Sequence, residues 1–142
     1  MRSKGVSNAD DNSSESLMTL DFSPNPGATE AVIERARQKV GELSDAYLQY
    51  IRQSNGGEGL VDENYYILWE IENISRYNEE YEVKEYAPDL LLFGSNGGGE
   101  SYAFDRRSAG WPVVMVPFIG MSIEYAIVAA PIAENFFRKF LK

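Results

Sequence analysis

The 142-residue chain contains neither cysteine nor histidine. Without cysteine there can be no disulfide, no thiol nucleophile and no cysteine-ligated zinc or iron–sulfur centre. Without histidine, the commonest general base and the commonest metal ligand are gone. Ser-His-Asp hydrolases, Cys-His proteases and histidine-ligated zinc enzymes are thereby excluded. Long apolar runs are also missing. The stretch from Val113 to Met121 is too short, and too broken by Pro117 and Gly120, for a membrane span. The opening MRSKGVSNADDNSSES has no apolar core of a signal peptide. A cytoplasmic address and no membrane partner are therefore expected. A chain of this size suits one domain and needs no metal or other cofactor to fold.

Positive charge is scarce: 13 Lys and Arg stand against 22 Asp and Glu, a formal net charge of −9. Such a surface repels phosphates, which argues against nucleic acid as a direct partner. The acidity is regional. Between Glu58 and Asp89 the acids are Glu58, Asp62, Glu63, Glu70, Glu72, Glu79, Glu80, Glu82, Glu85 and Asp89, against only Arg76 and Lys84. From Glu30 to Gly57 acids and bases balance, and the C-terminal stretch from Pro131 is slightly basic. The acidic stretch fits either a solvated face or a docking surface for a basic protein. Tyr77, Tyr81 and Tyr86 lie among these acids, and tyrosine beside charge is a frequent hot-spot mixture. Taken singly, each is better read as filling the core.

Residues 1 to about 16 are too polar to offset the entropy of ordering and read as a disordered tail. LMTLDF at 17–22 is apolar enough for a short strand or arm, and PNPGA then breaks the chain. The expected organisation is a disordered or loosely packed tail over 1–25 and one domain over 26–142. A first helix starts at the N-cap Thr29, carries Val32, Ile33, Ala36 and Val40 on one side, and ends at Gly41. Ser44 or Asp45 caps a second helix with Tyr47, Leu48 and Ile51 inward. YYILW at 65–69 reads as a strand and 70–77 as a short helix with Ile71, Ile74 and Tyr77 facing in. LLLF, SYAFD, VVMVPF and EYAIVA read as strands, followed by a final helix from Pro131 with Phe136, Phe137, Phe140 and Leu141 on its apolar face. Trp69, Trp111 and Phe104 are expected in or over the core, and Arg106 and Arg107 in solvent. Strands clustered together, with helices towards the ends, indicate an α+β domain.

Asn-Gly-Gly occurs twice, as Asn55-Gly56-Gly57 and Asn96-Gly97-Gly98, the second extended by Gly99. A phosphate-binding loop needs Lys-Ser or Lys-Thr at a helix start, and a dinucleotide fingerprint needs Gly-x-Gly-x-x-Gly opening a helix. Neither copy qualifies. The first reads as a helix stop, with Asn55 or Gly56 left-handed. The second, between two strands, reads as a hairpin turn.

Together these segments resemble the SUKH superfamily, which includes a yeast regulator of cell-wall synthesis and a bacterial immunity-protein branch. The resemblance rests on GATEAVIERARQKVGELSDAYLQYIRQSNGGEG at 27–59, LWEIENISRYNEEY at 68–81 and APDLLLFGSNGGGESYAFD at 87–105. WPVVMVPF at 111–118 and ENFFRKFL at 134–141 extend it. Asn55, Gly56, Gly57, Trp69, Asn96, Gly97, Gly98, Gly99 and Asp105 are its signature positions. One departure is Leu43-Ser44-Asp45, where the family often has Leu-Pro before the acidic residue. The resemblance implies a single mixed, largely antiparallel sheet flanked by about four helices. It implies no catalytic residues. Many bacterial members look like immunity proteins that bind and neutralise toxin domains, often nucleases; others look like regulatory interaction modules.

Three functional classes follow. The first is an immunity protein for a basic toxin domain, binding through Glu58, Asp62, Glu63, Tyr77, Glu79, Glu80, Tyr81, Glu82, Glu85, Tyr86 and Asp89, as a monomer or weak dimer. The second is an interaction module for a cellular client. The third is an enzyme using carboxylates such as Glu100 and Asp105 near the second hairpin, either as an acid–base pair or around a divalent ion. Asp105 also suits a plain structural role, accepting backbone N–H bonds in a turn.

Overall fold

The two long helices start and stop where their caps dictate. In a computed structural model, which describes residues 20–141, the Thr29 hydroxyl accepts from the Val32 amide at the start of α1 (Glu30–Val40). Gly41, at φ 89°, ends that helix. The Ser44 hydroxyl accepts from the Tyr47 amide and opens α2 (Asp45–Gln53). Ser44 therefore supplies the cap at the position where the family often has proline. The polar segment 1–16 lies outside the described residues.

Seven strands follow one another across a single sheet, each antiparallel to its neighbour: β1 (Leu20–Pro24), β2 (Gly57–Val61), β3 (Asn64–Leu68), β4 (Leu90–Ser95), β5 (Glu100–Asp105), β6 (Val113–Pro117) and β7 (Ile127–Ala130). The strand expected within 17–22 forms as β1 and pairs with β2 over five residues. Among the described residues the sheet is thus wholly antiparallel. Between β3 and β4 a 3-10 turn (Ile71–Asn73) runs into α3 (Ile74–Glu80), followed by α4 (Val83–Tyr86). After β7 comes α5 (Ala133–Phe137), which tightens into a last 3-10 turn. α4 lies in the acidic segment expected only to lead out of the preceding helix.

One face of the sheet packs against α1, α2 and α5. Tyr66, Leu68, Leu91, Phe93, Tyr102 and Phe104 meet Ile33, Tyr47, Ile51, Phe136 and Phe137 there. Phe93 and Phe104 stack at 4.2 Å, and Tyr47 meets Phe104 edge-on at 5.1 Å. Burying each such ring contributes about 1.5–3 kcal/mol. As expected, Tyr102 and Phe104 share a face and Ala103 takes the other. A smaller core on that other face joins Leu90, Leu92, Ala103, Val114 and Val116 to Val83, Ala87 and Met121.

Two sequence expectations need correction. Ser54, in extended conformation, is the C-cap of α2, so the helix stops before the motif; within it Gly56, one of the two expected positions, is left-handed, at φ 82°. The first Asn-Gly-Gly is therefore a helix-to-strand junction that feeds β2, a strand the periodicity did not announce. Arg106, expected in solvent, is engaged instead, whereas Arg107 is exposed as expected. Arg106 is half-buried and donates to the Val40 carbonyl at 3.0 Å, closing the C-terminus of α1. Arg107 donates to both carboxylate oxygens of Asp105.

Candidate protein-binding surface

Among the described residues, the second face of the sheet is covered over β4–β6 and bare over β1–β3. Val61, Tyr66 and Leu68 point to the helix-side core. The two-residue period of a strand then turns Glu58, Leu60, Tyr65 and Ile67 to the opposite face. The register places Glu58 beside Ile67 and Leu60 beside Tyr65. Leu60 and Tyr65 are each 38% exposed. The Tyr65 hydroxyl donates to the Glu58 carboxylate, which raises the phenol's pKa. The small residues between them follow from close approach: a Cβ on Gly59 would lie 2.2 Å from the Asp21 carbonyl oxygen.

This bare face continues into an aromatic stripe. Trp69 leaves β3 with its amide donating to the Phe93 carbonyl at 3.0 Å. Its ring meets Tyr77 of α3 at 4.5 Å and Phe118 at 6.4 Å, and Tyr81 meets Phe118 at 4.5 Å. Arg76 lies 4.6 Å over Tyr77 and pairs with Glu80 at 3.2 Å. Glu58, Ile67, Trp69, Glu70 and Tyr77 border a shallow depression of about 360 Å³. Trp69 and Phe118 are half-buried and lie over the smaller core, as expected of Trp69; Tyr77 is half-buried too, while Tyr81 and Tyr86 are exposed.

The acidic stretch is not one face. Glu58, Glu70 and Glu80 accompany the aromatic stripe. Glu79, Glu82 and Glu85 instead line a cleft of about 540 Å³, with Lys39, Lys84 and Arg106 also in its walls. Glu82 takes a left-handed conformation, φ 55°, at the α3–α4 junction. Asp62, also left-handed, and Glu63 sit at the β2–β3 turn. Asp89 is exposed, and its carbonyl accepts from the Arg106 amide. Glu72 turns to the first Asn-Gly-Gly and accepts from the Asn55 side chain at 2.8 Å.

The signature residues hold backbone in place. Asn55 is buried; its Oδ1 accepts from the Ile71 amide at 2.8 Å, and its own amide donates to the Pro26 carbonyl at 3.1 Å. Asn96 Oδ1 accepts from the amides of Gly98 and Glu100, shaping the β4–β5 hairpin turn through Gly97 and Gly99, both left-handed. Asp105 accepts from the Arg107 amide at 3.0 Å, the turn role expected of it. The Arg107 guanidinium, foremost among the causes, holds the Asp105 carboxyl below its ordinary range against the opposing effect of burial.

A family model for the SMI1 / KNR4 family (SUKH-1) matches residues 27–138. The chain belongs to that family. A comparison with curated proteins returned no match. Among the described residues, the SUKH-1 match spans α1–α5 and β2–β7, including the stripe from Glu58 to Phe118. A Glu100–Asp105 carboxylate pair is not assembled in this SUKH-1 chain. The two residues stand at opposite ends of β5, about 17 Å apart along an extended strand. Glu100 is instead held by the Asn96 side chain at 3.1 Å. Among the described residues no group of three or more carboxylates is placed to hold a metal ion, and no helix is long and apolar enough to cross a membrane.

Sequence reasoning missed Tyr65, Ile67 and Phe118 as parts of this surface. A usable signal existed for the first two: in GEGLVDENYYIL small glycines alternate with Glu58 and Leu60, the pattern of a strand with one tight face. Phe118 had only the strand-ending Pro117 before it as a cue.

Proposed function

We propose that the protein is an immunity protein that neutralises a toxin domain by direct, non-catalytic binding, in the cytoplasm of the cell it protects. The observation that carries this reading is the joined surface of Glu58, Tyr65, Trp69, Glu70, Tyr77, Glu80, Tyr81 and Phe118. It combines preorganised aromatic rings with three acids, of which, among the described residues, only Glu80 has a cationic partner, Arg76. Rings of this kind supply large contact area at low entropy cost, and acids steer a basic partner into place. A nuclease toxin must hold a polyanion, so its working surface is basic and matches an acidic cover. SUKH-1 membership is consistent with a binding role.

The test is growth rescue. The C-terminal domain of the adjacent open reading frame is expressed from an inducible promoter, with and without this protein. Relief of toxicity, lost when Tyr81 and Trp69 are replaced by alanine, is the expected result. A harmless neighbour, or toxicity this protein does not relieve, would favour the second reading, a regulatory module that presents the same surface to a cellular client.

A further inference from the structure

The aromatic stripe does not end at Phe118. Next to it in the chain stands Ile119, 92% exposed and the most exposed large apolar residue among those described. A lone apolar side chain in water is common on protein surfaces and needs no explanation. Ile119 differs in two respects. It adjoins a ring, Phe118, that already meets Trp69 and Tyr81. It is also held at a fixed place. On one side the Phe118 amide donates to the Gly99 carbonyl at 3.0 Å, in the β4–β5 hairpin. On the other, Gly120 is left-handed at φ 73°, and Met121 returns to the smaller core, where it is buried. Only Ile119 and Gly120 lie between these anchors, so the loop has little slack to fold the isoleucine back onto the protein.

We propose that Ile119 is the specificity-determining anchor of the binding surface, entering an apolar socket beside the basic face of the toxin domain. This rests on the immunity reading. Glu58, Glu70 and Glu80 attract positive charge from a distance, but long-range attraction treats one basic surface much like another. Discrimination needs a contact that only a matching shape rewards. The Ile119 side chain cannot donate, accept or carry charge, so it gains from a partner only by leaving water. It is branched and stiff, so seating it costs little rotamer freedom. The surroundings select the occupant. Tyr81, in contact with Phe118, stands between Glu80 and Glu82. An apolar knob with acids beside it is matched by a socket that is apolar at its centre and cationic at its rim. A second copy of this chain, at net charge −9, would bring acid against acid.

The test separates shape from charge. The probe is the purified C-terminal domain of the adjacent open reading frame, and dissociation is followed by displacement with excess unlabelled chain. Ile119→Ala should dissociate about tenfold faster or more, and Ile119→Val within about threefold of wild type. Ile119→Asp adds an acid, which attraction by charge alone would tolerate or reward. It should instead dissociate about a hundredfold faster, with association at low salt no slower than in wild type. Polylysine offers charge without a socket, so its capture should be indifferent to Ile119→Ala. The side chain is exposed, and thermal unfolding of the free variants should match wild type; should Ile119→Asp unfold earlier, Ile119→Ala decides. A wild type that binds the domain, while Ile119→Ala and Ile119→Asp dissociate as slowly, overturns this inference and leaves the immunity reading standing. So does equal weakening of domain and polylysine by Ile119→Ala, or a free chain that sediments as a dimer which Ile119→Asp abolishes. A domain that the wild type does not bind overturns both.

Discussion

The side chain of Asn78 serves Leu92 as a neighbouring strand would. Its Oδ1 accepts from the Leu92 amide at 2.9 Å and its Nδ2 donates to the Leu92 carbonyl at 2.9 Å. The need arises because β3 and β4 pair only at Ile67–Ser95 and Leu68–Gly94 before the chain turns away at Trp69. Leu92 is fully buried, so its freed peptide groups cannot turn to water. Nδ2 also donates to the Ile74 carbonyl at 2.8 Å, tying the position of α3 to the split in the sheet. The helix that carries Tyr77 and ends at Tyr81 as its C-cap is thereby fixed on β4, a strand that feeds both cores. Asn78→Ala should cost roughly 2–4 kcal/mol, because it orphans buried backbone groups. Urea unfolding would measure it, and a loss below 1 kcal/mol would mean water replaces the carboxamide.

The two Asn-Gly-Gly segments should respond differently to alanine. Gly56 is left-handed, and a Cβ there would lie 2.3 Å from the Leu68 carbonyl oxygen and 2.9 Å from that of Trp69. Backbone cannot yield as a flexible side chain does, so Gly56→Ala should cost about 3 kcal/mol or more. At Gly98 φ is ordinary, and a Cβ would meet only the Asn96 side chain, at 3.6 Å. Gly98→Ala should stay within about 0.5 kcal/mol of wild type. Thermal unfolding of the pair of variants decides whether the first motif is a tight junction and the second an open turn.

This contrast marks what could be read from the sequence. Caps at Thr29 and Ser44, the stop at Gly41 and the β4–β5 hairpin were legible, because each depends on a few adjacent residues. The α+β class followed from the clustering of strands. β2 was only faintly legible, through the alternation of glycines with Glu58 and Leu60: Gly57 and Gly59 are poor strand formers, placed there by the close approach of β1, a partner more than thirty positions earlier. The role of Asn78 depends on a gap between strands, which has no local signature. The acids of 58–89 were legible as a run, but how they divide between the aromatic stripe and the α1–α4 cleft depends on where α3 docks.

Asp105 and Arg107 give stability a defined pH dependence. Asp105 is buried, and the guanidinium of Arg107 lowers its folded pKa beneath the unfolded value. A depressed carboxyl stabilises the fold above the unfolded pKa, near 3.9, and that contribution is lost as pH falls through the folded value. Arg107→Ala should therefore lower stability at neutral pH and make no difference in strong acid, where Asp105 is protonated in both states. Carbon-detected NMR titration should place the Asp105 carboxyl below the ordinary range in wild type and nearer to it in the variant. An identical titration in both would assign the shift to the turn amide alone.

Charge reversal can show which acids meet the partner. Glu58, Glu70 and Glu80 border the aromatic stripe, whereas Glu79, Glu82 and Glu85 line the cleft that also holds Lys39 and Arg106. If the stripe is the contact surface, replacing the first set by lysine should slow association with the toxin domain by about tenfold or more at low salt and flatten its salt dependence. Replacing the second set should have a smaller effect, since those charges face a cleft that already contains cations. Tyr81→Ala should act on dissociation instead, because its ring makes contact but no long-range field. Stopped-flow rates at several ionic strengths separate these outcomes. Equal slowing by the two acidic sets would mean that only net charge matters, and a dominant effect of the cleft set would move the interface to the α1–α4 side of the molecule.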